Sequence, residues 1–317
     1  TYSTVIDAWS KSGMKGAGDK AEAILNKMQE KYEAGDMKTK PDIQSFNTVL
    51  NCWAKEGNAV RAQAIVDHVE KIRHQKGHTH LRPNSITYNI LMYAWSRSGE
   101  EGAGEKAESI LNKMLDQYEA GDKHCRPDNR LFGAVLNCWA KEGNGARAEA
   151  IVEYMEKLAN QKGYGNRVRP DKYTYTILVT AWSRSDEVGA FDKVKSIINT
   201  MEEKYEAGNR HCRPDIRTYN TLMNMWAREG NVEKIEILIN HVEKLMHQKG
   251  YKHLHPDTFF YNILMNAWAN SGIPGAGEKA EALLDDMQRK YEAGESGSTR
   301  HQMSECWVEC WYRQLRI

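Results

Sequence analysis

The 317-residue chain reads as an all-α solenoid of about seven helix-turn-helix repeats, on three observations. An aromatic residue recurs every 42 to 44 residues, at Tyr2, Phe46, Tyr88, Phe132, Tyr175, Tyr219 and Tyr261. A tryptophan follows each of them seven residues later, at Trp9, Trp53, Trp95, Trp139, Trp182, Trp226 and Trp268. Six of the aromatics are preceded by a proline, at Pro41, Pro83, Pro127, Pro170, Pro214 and Pro256. A fixed period of this length marks stacked units that share one continuous core. One solenoid domain is therefore expected over residues 1–294, divided as 1–42, 43–84, 85–128, 129–171, 172–215, 216–257 and 258–294.

Each unit begins with a helix whose apolar residues fall at i, i+3, i+4 and i+7, as in Tyr88, Leu91, Met92 and Trp95. That spacing makes one helical stripe. The Pro-Asp ahead of it sets the entry and puts a carboxylate at the positive end of the helix dipole. Gly57, Gly99, Gly143, Gly230 and Gly272 stop the first helix. A second helix follows with the same period, as in Ala148, Ile151, Val152 and Met155, and a short polar linker leads to the next proline. Neither apolar face can be covered within one hairpin, so neighbours must cover it. Units 1, 3 and 7 carry a Gly-Ala-Gly insert between the helices and unit 5 a variant of it at Val188 to Phe191, whereas units 2, 4 and 6 turn through Gly-Asn. The period is thus a pair of hairpins, as duplication of a two-hairpin block would produce.

Composition narrows the function. With a net charge of +1 and 27% charged residues, the chain has no strongly basic balance, so an anionic partner must be held by charge placed locally. No apolar run reaches membrane-spanning length. The cysteines mostly recur at equivalent positions, Cys52 with Cys138 and Cys125 with Cys212, as inherited reduced residues do. No catalytic set, phosphate-binding glycine loop, metal-ligand cluster or cofactor motif is present, so neither an internal active site nor a small-molecule substrate is expected. Histidines such as His80 and His211 read as solvated linker residues. The chain starts inside a repeat without a methionine and is expected to be a piece of a longer protein. Residues 295–317 leave the register and are expected to be a degenerate cap or altered tail, their His301, Cys306 and Cys310 falling short of a four-ligand zinc site.

The tryptophans share a stripe with Leu and Val and are expected in the core rather than as stacking plates. A polar pattern beside that stripe is not explained by the core. Nine residues after the aromatic stands a cation, at Lys11, Lys55, Arg97, Lys141, Arg184 and Arg228, giving way to Asn270 in the last unit. Cations near helix C-termini are favourable in themselves, yet six in register also suit a linear polyanion. Another basic row precedes the prolines, at Lys40, Arg82, Arg126, Arg169, Arg213 and His255. The residue after the aromatic reads Ser3, Asn47, Asn89, Gly133, Thr176, Asn220 and Asn262; the residue after the proline reads Asp42, Asn84, Asp128, Asp171, Asp215 and Asp257. Short amides, hydroxyls and carboxylates can read a base edge. Helix capping explains the post-proline row, but not polar residues inside the helix, where they are poor helix formers.

At Pro214-Asp215-Ile216-Arg217-Thr218-Tyr219-Asn220-Thr221-Leu222 and its counterparts the chain resembles the pentatricopeptide repeat family, over residues 1 to about 294. The resemblance implies a right-handed superhelix that holds single-stranded RNA in a groove lined by first helices. It implies that the residue after the aromatic and the one after the proline together select a base, while the cation row meets phosphate. Ser3 with Asp42 then implies guanine, Asn47 with Asn84 cytosine, and Asn89 with Asp128 uracil. Gly133 with Asp171 implies a weak guanine, Thr176 with Asp215 guanine and Asn220 with Asp257 uracil. Asn262 has no closing partner. The implied target is 5'-GCU(G)GU-3'. The base-sandwiching place two before the aromatic holds Ile86, Arg130, Tyr173, Arg217 and Phe259, with Gln44 as a departure. The resemblance also implies a mitochondrial or plastid setting. Two alternatives stand beside it: a protein-binding scaffold of the tetratricopeptide kind, and the RNA-recognition part of a larger nuclease or RNA-editing enzyme. Protein partners are compatible with all three.

Overall fold

The computed structural model describes residues 1–73, 75, 80–248, 251, 253–254 and 258–292, without the side chains of 258, 286–288 and 290–292. His301, Cys306 and Cys310 lie outside these residues. The described residues form α-helices and short 3-10 turns, with no strand among them. They fall into two compact units, Thr1–Asp186 and Glu187–Ile317.

In the first unit the helices are α1 (Tyr2–Ser12), α2 (Ala17–Glu33), α3 (Ile43–Glu56), α4 (Ala59–Ile72), α5 (Ser85–Ser98), α6 (Ala103–Glu119), α7 (Asn129–Lys141), α8 (Gly145–Ala159) and α9 (Lys172–Ser183). The odd-numbered helices pack side by side from α1 to α9, and each even-numbered helix packs against the two odd ones that flank it in sequence. The second unit holds α10 (Ala190–Glu206), α11 (Ile216–Arg228), α12 (Val232–Met246), α13 (Thr258–Asn270) and α14 (Ala276–Glu292), with α11 packed on α13 and α12 against both.

The periodic aromatics and tryptophans are core except in the outermost units, where Tyr2, Trp9 and Tyr261 are half-buried. Phe46, Tyr88, Phe132, Tyr175 and Tyr219 are buried, and Trp53, Trp95, Trp139, Trp182, Trp226 and Trp268 are at most 8% exposed. Three of the tyrosine hydroxyls donate to a carboxylate of the preceding even-numbered helix: Tyr88 to Glu70 at 2.9 Å, Tyr175 to Glu156 at 2.7 Å and Tyr219 to Glu202 at 2.7 Å. Burial beside Glu202 pushes the Tyr219 hydroxyl far above its ordinary pKa, so it stays a donor. Three of the tryptophans lie on the first turn of the preceding hairpin's second helix, where a glycine leaves room. A Cβ on Gly18 would sit 2.5 Å from Trp53, one on Gly104 2.5 Å from Trp139, and one on Gly145 2.4 Å from Trp182.

The two-hairpin period has a physical basis in how the second helices are capped. In even units the helix caps itself: Asn58, Asn144 and Asn231 accept from backbone N–H groups three residues on, at 3.0, 3.0 and 3.2 Å. In α2 and α6 the N-cap is a left-handed glycine without a side-chain cap. The following hairpin supplies the acceptor: Glu56 takes the N–H of Gly18 at 2.8 Å and Glu142 that of Gly104 at 2.9 Å. The residue after the cation is glutamate in even units, Glu56, Glu142 and Glu229, and serine in odd ones, Ser12, Ser98, Ser185 and Ser271. Replacing Glu142 by alanine is therefore expected to cost about 1 kcal/mol, the usual worth of a helix cap, measured by chemical denaturation.

The linkers are tied down more firmly than solvated loops. His80, expected in solvent, instead bonds the Pro41 carbonyl at 2.8 Å, and His253 bonds that of Pro214 at the same distance. Both imidazoles must carry the proton on Nε2 to do so. The basic row before the prolines joins in: Arg82 pairs with Asp122 at 2.7 Å and Arg126 donates to the Gly163 carbonyl at 2.9 Å. The described cysteines, Cys52, Cys125, Cys138 and Cys212, are buried as thiols outside any disulfide.

Candidate nucleic-acid interface

Residues four apart on a helix share a face. The residue after the aromatic and the cation eight positions on therefore stand on one stripe of each first helix, with a third residue midway. The stripes of the first unit are Ser3, Asp7, Lys11; Asn47, Asn51, Lys55; Asn89, Tyr93, Arg97; Gly133, Asn137, Lys141; and Thr176, Thr180, Arg184. In the second unit they are Asn220, Asn224, Arg228 and Asn262, Asn266, Asn270. The middle row was missed by reading the two outer rows separately; the i+4 step from either one locates it.

Bonds at both ends show that neighbouring first helices run in parallel. At the N-terminal end Thr87 donates to Asn47 Oδ1 at 2.8 Å. At the C-terminal end Lys55 donates to the Ser10 carbonyl at 2.6 Å, and Asn51 to the Ser10 hydroxyl at 3.1 Å. Like ends thus adjoin, and within the first unit the cations stand toward one edge.

Between α5, α7 and α9 this face opens into a groove of about 540 Å³. It is lined by Asn89, Gly133 and Asp171 from the two candidate base-reading rows, and by Ile86, Arg130 and Tyr173 from the candidate stacking row. Residues scattered over 88 positions of sequence, from 86 to 173, meet there. Ile86 and Tyr173 are 58% and 66% exposed, large apolar surfaces left to solvent on a helix whose other apolar face is buried. Arg217 and, at 55%, Phe259 are exposed at the same place on α11 and α13.

The post-proline residues cap the first helices, and their chemistry leaves a second function open. Asp42, Asp128, Asp171 and Asp215 each accept backbone N–H bonds through Oδ1, at 2.8 to 3.2 Å. Their Oδ2 atoms have no protein partner among the described residues. Asn84 caps with Oδ1 too, accepting from Ile86 at 3.0 Å and Thr87 at 3.2 Å. Its remaining atom is an amide nitrogen, so the cap is shared while the spare atom switches from acceptor to donor. Asp257 lies outside the described residues.

The residues after the aromatic differ in access. Ser3 is exposed, while Asn89, Gly133, Thr176 and Asn262 are half-buried. Asn47 and Asn220 are recessed at 9% and 3%. Thr176 returns its hydroxyl to the Lys172 carbonyl at 2.7 Å.

The cations divide as well. Lys11 pairs with Asp7 at 2.6 Å, Lys55 holds Ser10, and the Arg97 guanidinium lies 5.6 Å from the Tyr93 ring centre while donating to its hydroxyl at 3.1 Å. Lys141, Arg184 and Arg228 are exposed, with no side-chain partner among the described residues. Among the described residues no helix is long and apolar enough to cross a membrane.

The family model described as "Pentatricopeptide repeat domain" matches residues 30–97, 164–229 and 204–271, together more than half of the chain. A pentatricopeptide repeat-containing protein of Arabidopsis thaliana is 25% identical over 120 residues, 38% of this chain and 18% of that protein. The aligned part thus spans less than a fifth of that relative's length. Among solved structures, pentatricopeptide repeat protein PPR10 in complex with an 18-nucleotide psaJ RNA element is 20% identical, covering 89% of this chain and 40% of that one, with a TM-score of 0.42. PPR10 from maize is 17% identical, covering 91% and 53%, with a TM-score of 0.24.

Proposed function

This chain belongs to the pentatricopeptide repeat family, and from that premise we propose that it binds single-stranded RNA selectively, one base to a hairpin. The observation that carries the proposal is the groove on α5, α7 and α9. Polar groups able to address a base edge stand there beside exposed side chains able to cover a base face, and unpaired cations follow along the edge. Stacking supplies affinity, amides and carboxylates supply choice, and the cations hold phosphate. Ile86, Arg130, Tyr173, Arg217 and Phe259 are the proposed stacking residues. Lys11, Lys55, Arg97, Lys141, Arg184 and Arg228 are the proposed phosphate residues, with those three that lack a protein partner foremost.

The spare atom of each capping residue accounts for its part in selection. An Asp beside an Asn offers an acceptor next to an amide, which suits the N3–H and carbonyl of uracil; the Asn47 and Asn84 pair offers a donor in its place, which suits the acceptor at N3 of cytosine. The proposed target remains 5'-GCU(G)GU-3' along the chain. The chain performs no chemistry itself in this reading. It acts in a mitochondrion or plastid by covering or remodelling a transcript segment, and so supports processing, stability or translation.

Titration of labelled RNA containing this sequence and of a scrambled control tests the reading. The matched strand is expected to bind at least about tenfold more tightly; equal affinities exclude base selection. Within the same assay, Asn89→Thr is expected to move the preference at the third position from uracil toward guanine by about tenfold, since it copies the Thr176 and Asp215 combination. An unchanged preference would refute the assignment of that pair.

A further inference from the structure

The fourth hairpin interrupts the polar stripe. Where the other first helices carry Ser3, Asn47, Asn89, Thr176, Asn220 and Asn262, α7 carries Gly133. A Cβ built there meets no atom within 4 Å, so the missing side chain leaves a vacancy that opens into the groove. Asn129 and Asn137 stand one turn to either side and line the same groove. Side chains on a helix lean toward its N-terminus, so the amide of Asn137 projects over the turn that Gly133 occupies. Asn129 donates its amide nitrogen to the Arg169 carbonyl at 2.9 Å, while its own carbonyl oxygen is buried with no hydrogen-bond partner among the described residues. That oxygen is sealed from solvent, which leaves Asn137 as the amide of this helix open to the groove. Tyr93 of the adjacent α5, 44% exposed, lines the same groove, in a row that holds Asp7, Asn51, Asn137, Thr180, Asn224 and Asn266 elsewhere.

We propose that the fourth hairpin forms a purine subsite, read by Asn137 in place of the absent side chain at 133 and walled by Tyr93. The inference rests on the reading that this groove holds single-stranded RNA. Without a side chain at 133 a wider gap separates the helix from the base edge. The Watson–Crick edge of a purine reaches farther from its ribose than that of a pyrimidine and so spans the gap. Adenine offers its N6 amino group beside N1, and guanine its N1–H beside O6; a side-chain amide meets either pair with two bonds. The larger ring system gains more contact with the Tyr93 face.

The test uses the full chain and four RNA strands, 5'-GCUNGU-3' with each base in turn at N, titrated by fluorescence anisotropy. Both purine strands are expected to bind about tenfold more tightly than both pyrimidine strands. Asn137→Ala should bring that ratio close to one while leaving the preference for cytosine at the second position intact. Gly133→Asn fills open space, so it should melt like the parent protein, and it should turn the fourth position toward pyrimidine. Equal affinity for all four strands, with discrimination retained at the second and third positions, overturns this inference alone. Failure to bind any of the strands overturns the RNA reading together with it.

Discussion

Replacing Lys141, Arg184 and Arg228 together by glutamine is expected to weaken RNA binding roughly 50-fold at about 0.15 M salt. Each phosphate contact on a single strand releases about 0.7 of a counterion, so losing three should flatten the plot of log affinity against log salt by about 2. These three are the informative choice because they have no protein partner among the described residues. Glutamine there removes charge without breaking a bond of the fold. Lys55 is a poorer probe, since its ammonium also holds the Ser10 carbonyl at 2.6 Å. The loss should be the same for matched and scrambled strands, because phosphate carries no sequence. Titrations at several salt concentrations check this. A slope that does not change, or a loss confined to the matched strand, removes these cations from the phosphate role.

Trp139→Ala is expected to cost about 3–5 kcal/mol of stability, the range for truncating a buried tryptophan. The indole is 4% exposed and lies over Gly104 of the preceding hairpin, where a Cβ would come within 2.5 Å. Its Nε1 donates to Glu108 at 3.2 Å and the Arg147 guanidinium lies 5.9 Å from the ring centre. The variant leaves a cavity where two hairpins meet and removes the indole's bond to Glu108, which keeps Arg147 at 3.8 Å. Stability in a repeat array is a sum of unit terms and neighbour terms, so the damage concentrates at the junction of α6 with α7. Chemical denaturation followed by circular dichroism should show reduced stability and a broadened transition. A loss below about 1 kcal/mol would mean that the tryptophan is not the junction's main contact. The converse substitution, Gly145→Val, overfills the equivalent junction beside Trp182 and is expected to cost about 1–3 kcal/mol.

Much of the fold is legible in the spacing of a few residue types. Tyr88, Leu91, Met92 and Trp95 lie on one stripe by helical geometry alone, and they are buried as that stripe requires. The post-proline residues were legible as caps, and Asp42, Asp128, Asp171 and Asp215 do cap through one oxygen. The candidate interface was legible row by row, since each row repeats at the period of the hairpin. What could not be read that way involves partners about 40 residues apart. Glu56 bonding Gly18, Lys55 bonding Ser10 and His80 bonding Pro41 each link one hairpin to its neighbour. Tyr93 and Asn137 escaped notice for another reason: their row gains meaning only from the two rows on either side of it, and both residues line one groove.

Periodicity along the chain settles which residues turn inward, because a stripe every 3.6 residues leaves a helix one way to hide its apolar side. It settles the hairpin, its stops and the recurrence of cations and short polar groups. Stacking settles which cations stay unpaired, how a second helix borrows its cap from the hairpin that follows, and how Ile86, Gly133 and Tyr173 come to line one groove. Those outcomes depend on the distance between helices, and no local pattern encodes the position of a neighbour that packs one repeat away.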